Sequence, residues 1–217
     1  MRPPAFSPRK LRSHRLALLL SALVVLAGCA TLKQCAYGGL NRSEWQQPER
    51  VIQSLDIGPG DHVADLGSGG GYFTFRLAKA VGATGRVYAV DIDPDMTDLL
   101  AKQAKQENVG NIEVILAKAN DPLLPATGID LIFTVDTYHH IGNRVSYFAN
   151  LRKVLRPGGR IAVIDFDRRA WLEGLWHHYT PPEFIKREME AAGYSLQHEF
   201  NFLDRQSFLI FAPRKRS

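Results

Sequence analysis

The stretch His62-Val-Ala-Asp-Leu-Gly-Ser-Gly-Gly-Gly-Tyr-Phe-Thr74 decides the fold of this chain. Its first five residues are mostly apolar and predict a buried strand over 62–66. Gly67 and the run 69–71 follow, and from Tyr72 to Val81 the apolar residues recur at helical spacing. A strand that passes through a glycine-rich turn into a helix is typical of an open α/β sheet that binds a nucleotide-like ligand at this turn.

The ligand class is narrowed by the spacing of the glycines. Glycine adopts positive φ and lets a ligand approach the main chain, and the next helix presents its N–H groups there. The dinucleotide fingerprint G-x-G-x-x-G/A does not fit, because its third position falls on Tyr72 or Thr74 when counted from Gly67 or Gly69. A Walker A loop does not fit either, since no lysine follows the glycines.

Apolar segments of strand length alternate with helical segments through the rest of the chain, which predicts a mostly parallel sheet. The last two strands are joined by a short loop and predict an antiparallel hairpin. The predicted strands after the first are 86–90, 112–116, 129–135, 161–164, 195–200 and 207–211. The predicted helices are a short one from Pro48, then 72–81, 96–106, 143–155 and one that begins at 180–183. Val145, Phe148, Leu151 and Leu155 form the predicted apolar stripe of the fourth, and Thr180 and Glu183 are spaced as a capping box of the fifth.

Three ordered motifs carry a resemblance to a known family. They are Asp65-x-Gly-x-Gly-x-Gly71, Val87-Tyr-Ala-Val-Asp-Ile-Asp-Pro94 and the turn Leu155-Arg-Pro-Gly-Gly-Arg160. Together with the terminal hairpin they resemble the class I S-adenosylmethionine (SAM) dependent methyltransferases, over residues 62–213. The resemblance implies an α/β fold with a Rossmann-like, seven-stranded, mostly parallel sheet, helices on both faces and a C-terminal antiparallel β-hairpin.

The resemblance also implies a site for SAM. Asp91 ends the second strand at the spacing where an acid accepts hydrogen bonds from ribose hydroxyls; the alternative role of helix N-cap suits Asp93 better. The residue after the acid packs on adenine in this family, and here it is Ile92. A polar residue after the third strand binds the adenine amino group, for which Asn120 and Asp121 both qualify. The implied cofactor-binding set is Asp65, Gly67, Gly69, Gly71, Asp91, Ile92, Asn120, Asp121 and Asp136.

Methyl transfer from a sulfonium is an in-line displacement, which an enzyme promotes mainly by alignment. A general base helps when the nucleophile must lose a proton. His139 and His140 follow the fourth strand at the family's methyl-transfer position and are the candidate bases. His177 and His178 are a second pair, but no carboxylate at suitable spacing accompanies the four histidines, so we expect no metal site.

The N-terminal segment has the features of an export signal. A basic start precedes an apolar run over 16–26, which ends in Leu26-Ala-Gly-Cys29. This resembles a bacterial lipoprotein signal, with Cys29 as the acylated first residue; an uncleaved anchor or a wrongly assigned start is the alternative. The expected organisation is a signal peptide over 1–28, a tether over 29–45 and the methyltransferase domain over 46–217. We therefore expect a membrane-anchored lipoprotein that faces the periplasm of a bacterium.

The charge distribution argues against nucleic acid as a partner. The formal net charge is +5, and five basic residues with no acidic one precede Cys29, so the remainder is neutral. We expect a small-molecule or lipid-like acceptor and membrane contact through acylated Cys29. The aromatic segment 171–176 predicts a lid helix, an apolar substrate wall or a membrane contact. The alternative to an active enzyme is an exported binding lipoprotein that keeps the fold without catalysis.

Overall fold

The computed structural model describes residues 41–170 and 179–214. The helices are α1 (Arg42–Gln46), α2 (Pro48–Ser54), α3 (Thr74–Val81), α4 (Pro94–Gln106), α5 (Arg144–Leu151) and α6 (Pro182–Ala191), with a 3-10 helix at Tyr138–His140. The strands are β1 (His62–Leu66), β2 (Arg86–Asp91), β3 (Ile112–Leu116), β4 (Ile129–Val135), β5 (Leu155–Phe166), β6 (Tyr194–Phe200) and β7 (Gln206–Pro213). A helix follows each of the strands β1, β2 and β4, whereas β3 leads to β4 through a connection without a helix.

The strands form one seven-stranded sheet in the order β3-β2-β1-β4-β5-β7-β6. The pairs among β1 to β5 are parallel. Strand β7 pairs antiparallel with both β5 and β6, so the terminal hairpin is inserted with β7 inside the sheet. The predicted seven-stranded, mostly parallel sheet with an antiparallel C-terminal hairpin is confirmed.

Two buried apolar clusters lie on the two faces of this sheet. Successive side chains of a strand point to opposite faces, and accordingly Val63 and Leu131 join one cluster while Ala64 and Ile132 join the other. The first cluster includes residues of α2 and α3, and the second includes residues of α5 and α6. The parallel strands read as continuous apolar runs because both of their faces are covered.

Two details of the predicted helices are wrong. Helix α5 has eight residues and ends at Leu151, so Leu155 opens β5 instead, and Val145 is exposed rather than part of the buried stripe. The capping box of α6 does not form: the helix begins at Pro182, two residues after Thr180, so Pro181 occupies the N-cap position and makes no side-chain cap.

The folded part begins earlier than the boundary at residue 46 that the sequence suggested. Residues 42–45, expected to belong to the tether, form α1 together with Gln46, which is fully buried. The expected signal peptide, Cys29 and the aromatic segment 171–176 with His177 and His178 lie outside the described residues. Within the described ranges, no helix is long and apolar enough to cross a membrane.

Candidate functional site

The site lies where the strand order reverses. From β1 the chain moves outward to β2 and β3, and it then returns to β4 on the other side of β1 and continues to β5. Ligands of open α/β sheets bind outside the carboxyl ends of the strands at such a switch point. Here the glycine turn follows β1, and Asp136 and Thr137 follow β4.

The glycines of the turn have different roles. Gly67, Gly69 and Gly71 all have positive φ. A Cβ atom on Gly67 would collide with the side chain of Thr137, and one on Gly71 would lie 2.8 Å from the ring of Phe75. Apart from Gly69 itself and its chain neighbours, no atom of the described residues lies within 4 Å of the place where a Cβ on Gly69 would be. Packing therefore requires glycine at the two outer positions, whereas open space lies in front of Gly69.

Asp91 joins this turn to the end of β2. Its Oδ2 atom accepts a hydrogen bond from the Gly69 N–H at 2.7 Å, and its Oδ1 atom accepts one from the Asp93 N–H at 2.9 Å. A carboxylate oxygen has more than one acceptor position, so both oxygens retain capacity for donors from a ligand. The N-cap role belongs to Asp93, whose side chain accepts from Asp95 N–H at the start of α4.

An exposed apolar spot lies beside Asp91. Ile92 is 63% exposed and Leu116, which faces Asp91 in the β2–β3 register, is 51% exposed. Asn120 and Asp121 are exposed in the turn after β3. Asp121 accepts a hydrogen bond from the Leu123 N–H at 2.9 Å. The spot offers an apolar surface for a flat ring, with polar groups at the next strand end.

Two carboxyl groups flank the switch point. Asp65, at the end of β1, is buried and accepts a hydrogen bond from the Thr74 hydroxyl at 2.7 Å. Burial raises the pKa of Asp65 to about 7, against the effect of the Thr74 hydrogen bond. Burial also raises the pKa of Asp136 to about 7, although the positive charge of Arg42 opposes the shift. The side chain of Asp136 keeps 21% of its exposure, so solvent or a ligand can reach it.

Asp136 is held by residues from both ends of the domain. The side-chain amide of Gln206 donates to its Oδ1 atom, and that of Gln46 donates to Oδ2 at 3.2 Å. The two glutamines also bond to each other at 3.1 Å, and the Arg42 guanidinium lies 3.8 Å from Oδ2. Helix α1 is thus attached directly to the end of β4.

Helix α1 also contacts the glycine turn. The Arg42 guanidinium lies over the ring of Tyr72, 4.1 Å from its centroid, and the Ser43 and Tyr72 hydroxyls are 3.0 Å apart. Because Tyr72 directly follows the glycines, α1 bridges the two sides of the switch point.

His139 is paired with a buried aspartate. Its Nδ1 atom lies 2.7 Å from Oδ1 of Asp165, which is near the end of β5 and fully buried; the His139 side chain is 7% exposed. Among the described residues, the Oδ2 atom of Asp165 has no hydrogen-bond partner, and neither has the hydroxyl of Ser207, which faces Asp165 in the β5–β7 register. His140 is exposed, and its ring centroid is 4.1 Å from that of His139.

A cavity of about 400 Å³ opens beside His139. Its lining combines aromatic and apolar side chains with charged ones. The described lining residues are His139, Arg144, Arg168, Tyr179, Thr180, Pro181 and Phe184. Within the described parts of the chain, no group of three or more histidine, cysteine, aspartate or glutamate residues could hold a metal ion.

Hydrogen bonds to Glu188 of α6 fix the 3-10 helix that carries His139. The Tyr138 hydroxyl donates to Glu188 at 2.8 Å, and Arg144 donates to the same carboxylate from Nε and an Nη atom at 2.7 and 3.0 Å. Burial, followed by the Glu188 hydrogen bond, raises the pKa of Tyr138 well above its usual range. Tyr138 therefore stays neutral and acts as a structural donor that positions its neighbour.

Comparison with known proteins assigns the family. A model of the family described as "Methyltransferase domain" matches residues 57–201, well over half of the chain. The chain belongs to this methyltransferase domain family. The matched region contains the glycine turn, Asp91, both candidate histidines and Asp165.

Curated relatives of this methyltransferase domain include two bacterial enzymes. Aklanonic acid methyltransferase DauC of Streptomyces sp. (strain C5) is 32% identical over 135 residues, which are 62% of this chain and 60% of that protein. The ubiquinone/menaquinone biosynthesis C-methyltransferase UbiE of Shewanella pealeana is 30% identical over 119 residues, 54% of this chain and 47% of that protein. The chain thus spans about half the length of these relatives.

A solved structure has the same fold. A SAM-dependent methyltransferase from Aquifex aeolicus superposes with a TM-score of 0.71 over 81% of this chain and 94% of that chain, at 24% identity. At this identity the likeness supports the Rossmann-like methyltransferase fold.

Sequence reasoning did not find five residues that this methyltransferase domain brings to the site. Arg42 lies in the expected tether and Gln46 opens the expected domain. Gln206 lies in the loop of the predicted hairpin, Leu116 ends the predicted strand over 112–116, and Asp165 directly follows the one over 161–164. A signal existed for Asp165, because an acid ends the apolar strand over 161–164 just as Asp91 and Asp136 end theirs. Leu116 follows from the strand pairing that places it opposite Asp91.

Proposed function

We propose that this chain transfers the methyl group of SAM to a small-molecule acceptor. The observation that carries the proposal is the open space at Gly69 next to the Asp91 carboxylate, at the switch point of a methyltransferase-family sheet. SAM supplies an electrophilic methyl group on a sulfonium, and the chain supplies binding and alignment.

The residues at the strand ends fit the parts of SAM. Asp91 keeps acceptor capacity for two ribose hydroxyls, and Ile92 and Leu116 offer an apolar surface to adenine. Asn120 or Asp121 would bind the adenine amino group. Asp65 and Asp136 are acceptors for the positive charges of the methionine part, and Gly67, Gly69 and Gly71 let the ligand approach the backbone.

The cavity beside His139 supports a small acceptor. Its volume of about 400 Å³ is within the usual range of roughly 300–1,000 Å³ for small-molecule sites. The relatives named above are an aklanonic acid methyltransferase and a C-methyltransferase of ubiquinone/menaquinone biosynthesis, which agrees with a small-molecule acceptor. An acceptor with an apolar body, including a lipid-like one, is compatible with Phe184 and Pro181 in the lining.

We further propose that the full chain is an acylated lipoprotein. The basic start, the apolar run over 16–26 and the Leu-Ala-Gly-Cys29 ending support a signal peptide over 1–28.

His139 or His140 serves as proton acceptor, and between them the burial and the Asp165 partner favour His139.

Calorimetry of the full chain with SAM, S-adenosylhomocysteine and NAD tests the proposed function. Gly69→Val places a branched side chain in the open space and should abolish SAM binding. Gly158→Val is the matched control, since Gly158 also has positive φ and open space around its Cβ position among the described residues, but lies near the amino end of β5. It should suffer similar backbone strain and keep SAM affinity.

A second pair of variants tests Asp91. Asp91→Ala should weaken SAM binding by about 1.5–3 kcal/mol, the usual worth of hydrogen bonds to a charged group. Asp93→Ala should leave affinity unchanged and cost about 1 kcal/mol of stability through loss of the α4 cap. Wild-type affinity in Gly69→Val or Asp91→Ala, or a preference for NAD over SAM, would overturn the assignment.

A further inference from the structure

Asp165 is a charged side chain at a buried position near the carboxyl end of β5, which is an unusual place for an aspartate. It is fully buried, and its Oδ1 atom contacts His139 at 2.7 Å and accepts from the Phe166 N–H at 3.1 Å, while Oδ2 has no hydrogen-bond partner in the described part of the chain. A buried carboxylate is costly unless a partner compensates its charge. Among these contacts, only the imidazole can supply a compensating positive charge.

The pair fixes the orientation of the imidazole. An ionised carboxylate only accepts hydrogen bonds, so Nδ1 of His139 is the donor, and in the neutral ring Nε2 is then the basic nitrogen. When Nε2 takes up a proton, the ring becomes a cation beside a buried negative charge. This is how the aspartate of a serine hydrolase triad orients and stabilises its histidine.

The cavity places this ring beside aromatic and apolar side chains as well as two arginines. His139 shares the lining with Tyr179, Pro181 and Phe184, which offer faces to an aromatic or conjugated ring. An amine attacks through its lone pair and loses its proton afterwards, whereas a hydroxyl must lose its proton as its oxygen attacks. A built proton acceptor at this position therefore favours a hydroxyl on a conjugated ring.

We propose that Asp165 is a positioning residue that holds His139 as the proton acceptor, and that the methyl acceptor is a phenolic or enolic hydroxyl. The inference rests on the proposed methyltransferase function. In the step, the acceptor oxygen forms the O–CH₃ bond while the S–CH₃ bond breaks and its electron pair stays on sulfur. The hydroxyl proton passes to Nε2 of His139 and later to water, so the products are a methyl ether, S-adenosylhomocysteine and one proton.

The test uses the full chain, labelled SAM and a series of substituted phenols from 4-methylphenol to 4-nitrophenol. Asp165→Asn and His139→Gln should each lower kcat with the least acidic phenol by about 10²–10⁴-fold, the usual contribution of a general base. The loss of kcat should become smaller toward 4-nitrophenol, because the most acidic phenol of the series needs a proton acceptor least. The double variant should be no slower than His139→Gln alone, because Asp165 acts through His139.

Two measurements separate this role from a structural one. SAM affinity by calorimetry should fall much less than kcat in Asp165→Asn, and NMR of ¹⁵N-histidine-labelled protein should show the Nδ1-protonated tautomer of His139 only when Asp165 is present. Ser207→Ala, which removes a buried hydroxyl that faces Asp165 and has no hydrogen-bond partner among the described residues, is the matched control and should keep wild-type rates.

The outcomes are distinguishable. Failure of the wild type to bind SAM would overturn the proposed function itself. SAM binding with no phenol methylated, with unchanged kcat in both single variants, or with an equal loss for every phenol would overturn the hydroxyl assignment and leave SAM binding intact.

Discussion

Carboxyl groups lie at the carboxyl ends of three neighbouring strands, β1, β4 and β5. They belong to Asp65, Asp136 and Asp165, and the first two have a pKa raised to about 7 by burial. The negative charges of Asp91 and Asp165 add to the shifts at Asp65 and Asp136, while the guanidinium of Arg42 opposes both. These strand ends therefore carry enough negative charge to bind a cation. When no cation is bound, Asp65 and Asp136 are partly protonated at neutral pH.

This arrangement links stability to pH. An exposed aspartate titrates near about 4, so between that value and 7 the folded chain binds more protons than the unfolded one. The contribution of Asp65 and Asp136 to the free energy of unfolding is thus fully present below about pH 4 and is lost as the pH rises through about 7.

The folded chain without ligand favours the protonated forms of Asp65 and Asp136, whereas a bound sulfonium should favour their ionised forms. We predict that SAM affinity rises between pH 6 and 8 by about tenfold for each carboxyl group that ionises on binding. S-adenosylhomocysteine, which has a neutral sulfur, should show a weaker dependence. Calorimetry in buffers of different ionisation enthalpy measures the released protons, and Asp136→Asn should remove its share. Equal pH dependence for the two ligands would contradict this account.

At the scale of secondary structure, α1 is short but firmly attached. Its one buried residue, Gln46, connects to Asp136 and Gln206. On its other side, Arg42 and Ser43 contact Tyr72 beside the glycine turn. The helix therefore links the amino end of the domain to both walls of the proposed SAM site.

We predict that Gln46→Ala destabilises the fold by about 1–3 kcal/mol, because it leaves the buried Oε1 atom of Gln206 without its donor. Hydrogen exchange should increase in residues 41–54, and SAM affinity should fall. Glu44→Ala, an exposed substitution on the same helix, is the matched control and should change neither property. Thermal unfolding and exchange mass spectrometry measure the effects; indistinguishable behaviour of the two variants would show that α1 is not anchored through Gln46.

The strands were largely predictable because buried parallel strands are short apolar runs between turns. The glycine turn and Asp91 were also predictable, since backbone conformation and spacing restrict the residue type there. The ends of α5 and α6 were not, because helical spacing continues past Leu151 and the Thr180–Glu183 pair matches a cap that two prolines displace.

The contacts of the site were harder to predict than its strands. Gln46 and Gln206 meet although they are 160 positions apart, and Asp165 meets His139 across two strand ends. Such pairs depend on strand order and register, which local patterns do not encode. A candidate histidine was therefore visible in the sequence, but its partner became visible only with the fold.

At the scale of the whole molecule, the net positive charge lies in the segment before Cys29. The five basic residues before Cys29 account for the net charge of +5, and the remainder has no net basic character. A basic start followed by an apolar run is the pattern of an export signal. If the chain is exported, SAM must reach a compartment other than the cytoplasm in which it is made, so the location of the protein bears directly on its activity.

Acylation of Cys29 is the prediction that decides this location. One acyl chain holds a protein only marginally at a membrane, whereas several together anchor it stably. The wild-type chain should incorporate labelled fatty acid and sediment with membranes. Cys29→Ser should lose the label and accumulate as the uncleaved precursor. Cys35→Ser is the matched control and should keep the label, because the Leu-Ala-Gly sequence precedes Cys29 and not Cys35.

Label that persists in Cys29→Ser, or no label in the wild type, would contradict the lipoprotein assignment. Either result would indicate that the protein stays on the side of the membrane where SAM is made. Residues 1–28 would then be an extension that is not an export signal. With label confined to chains that carry Cys29, protease accessibility in intact and permeabilised cells then determines which side the methyltransferase domain faces. A domain protected until the inner membrane is opened faces the cytoplasmic SAM pool, and one digested once the outer membrane is permeabilised requires a separate route for SAM.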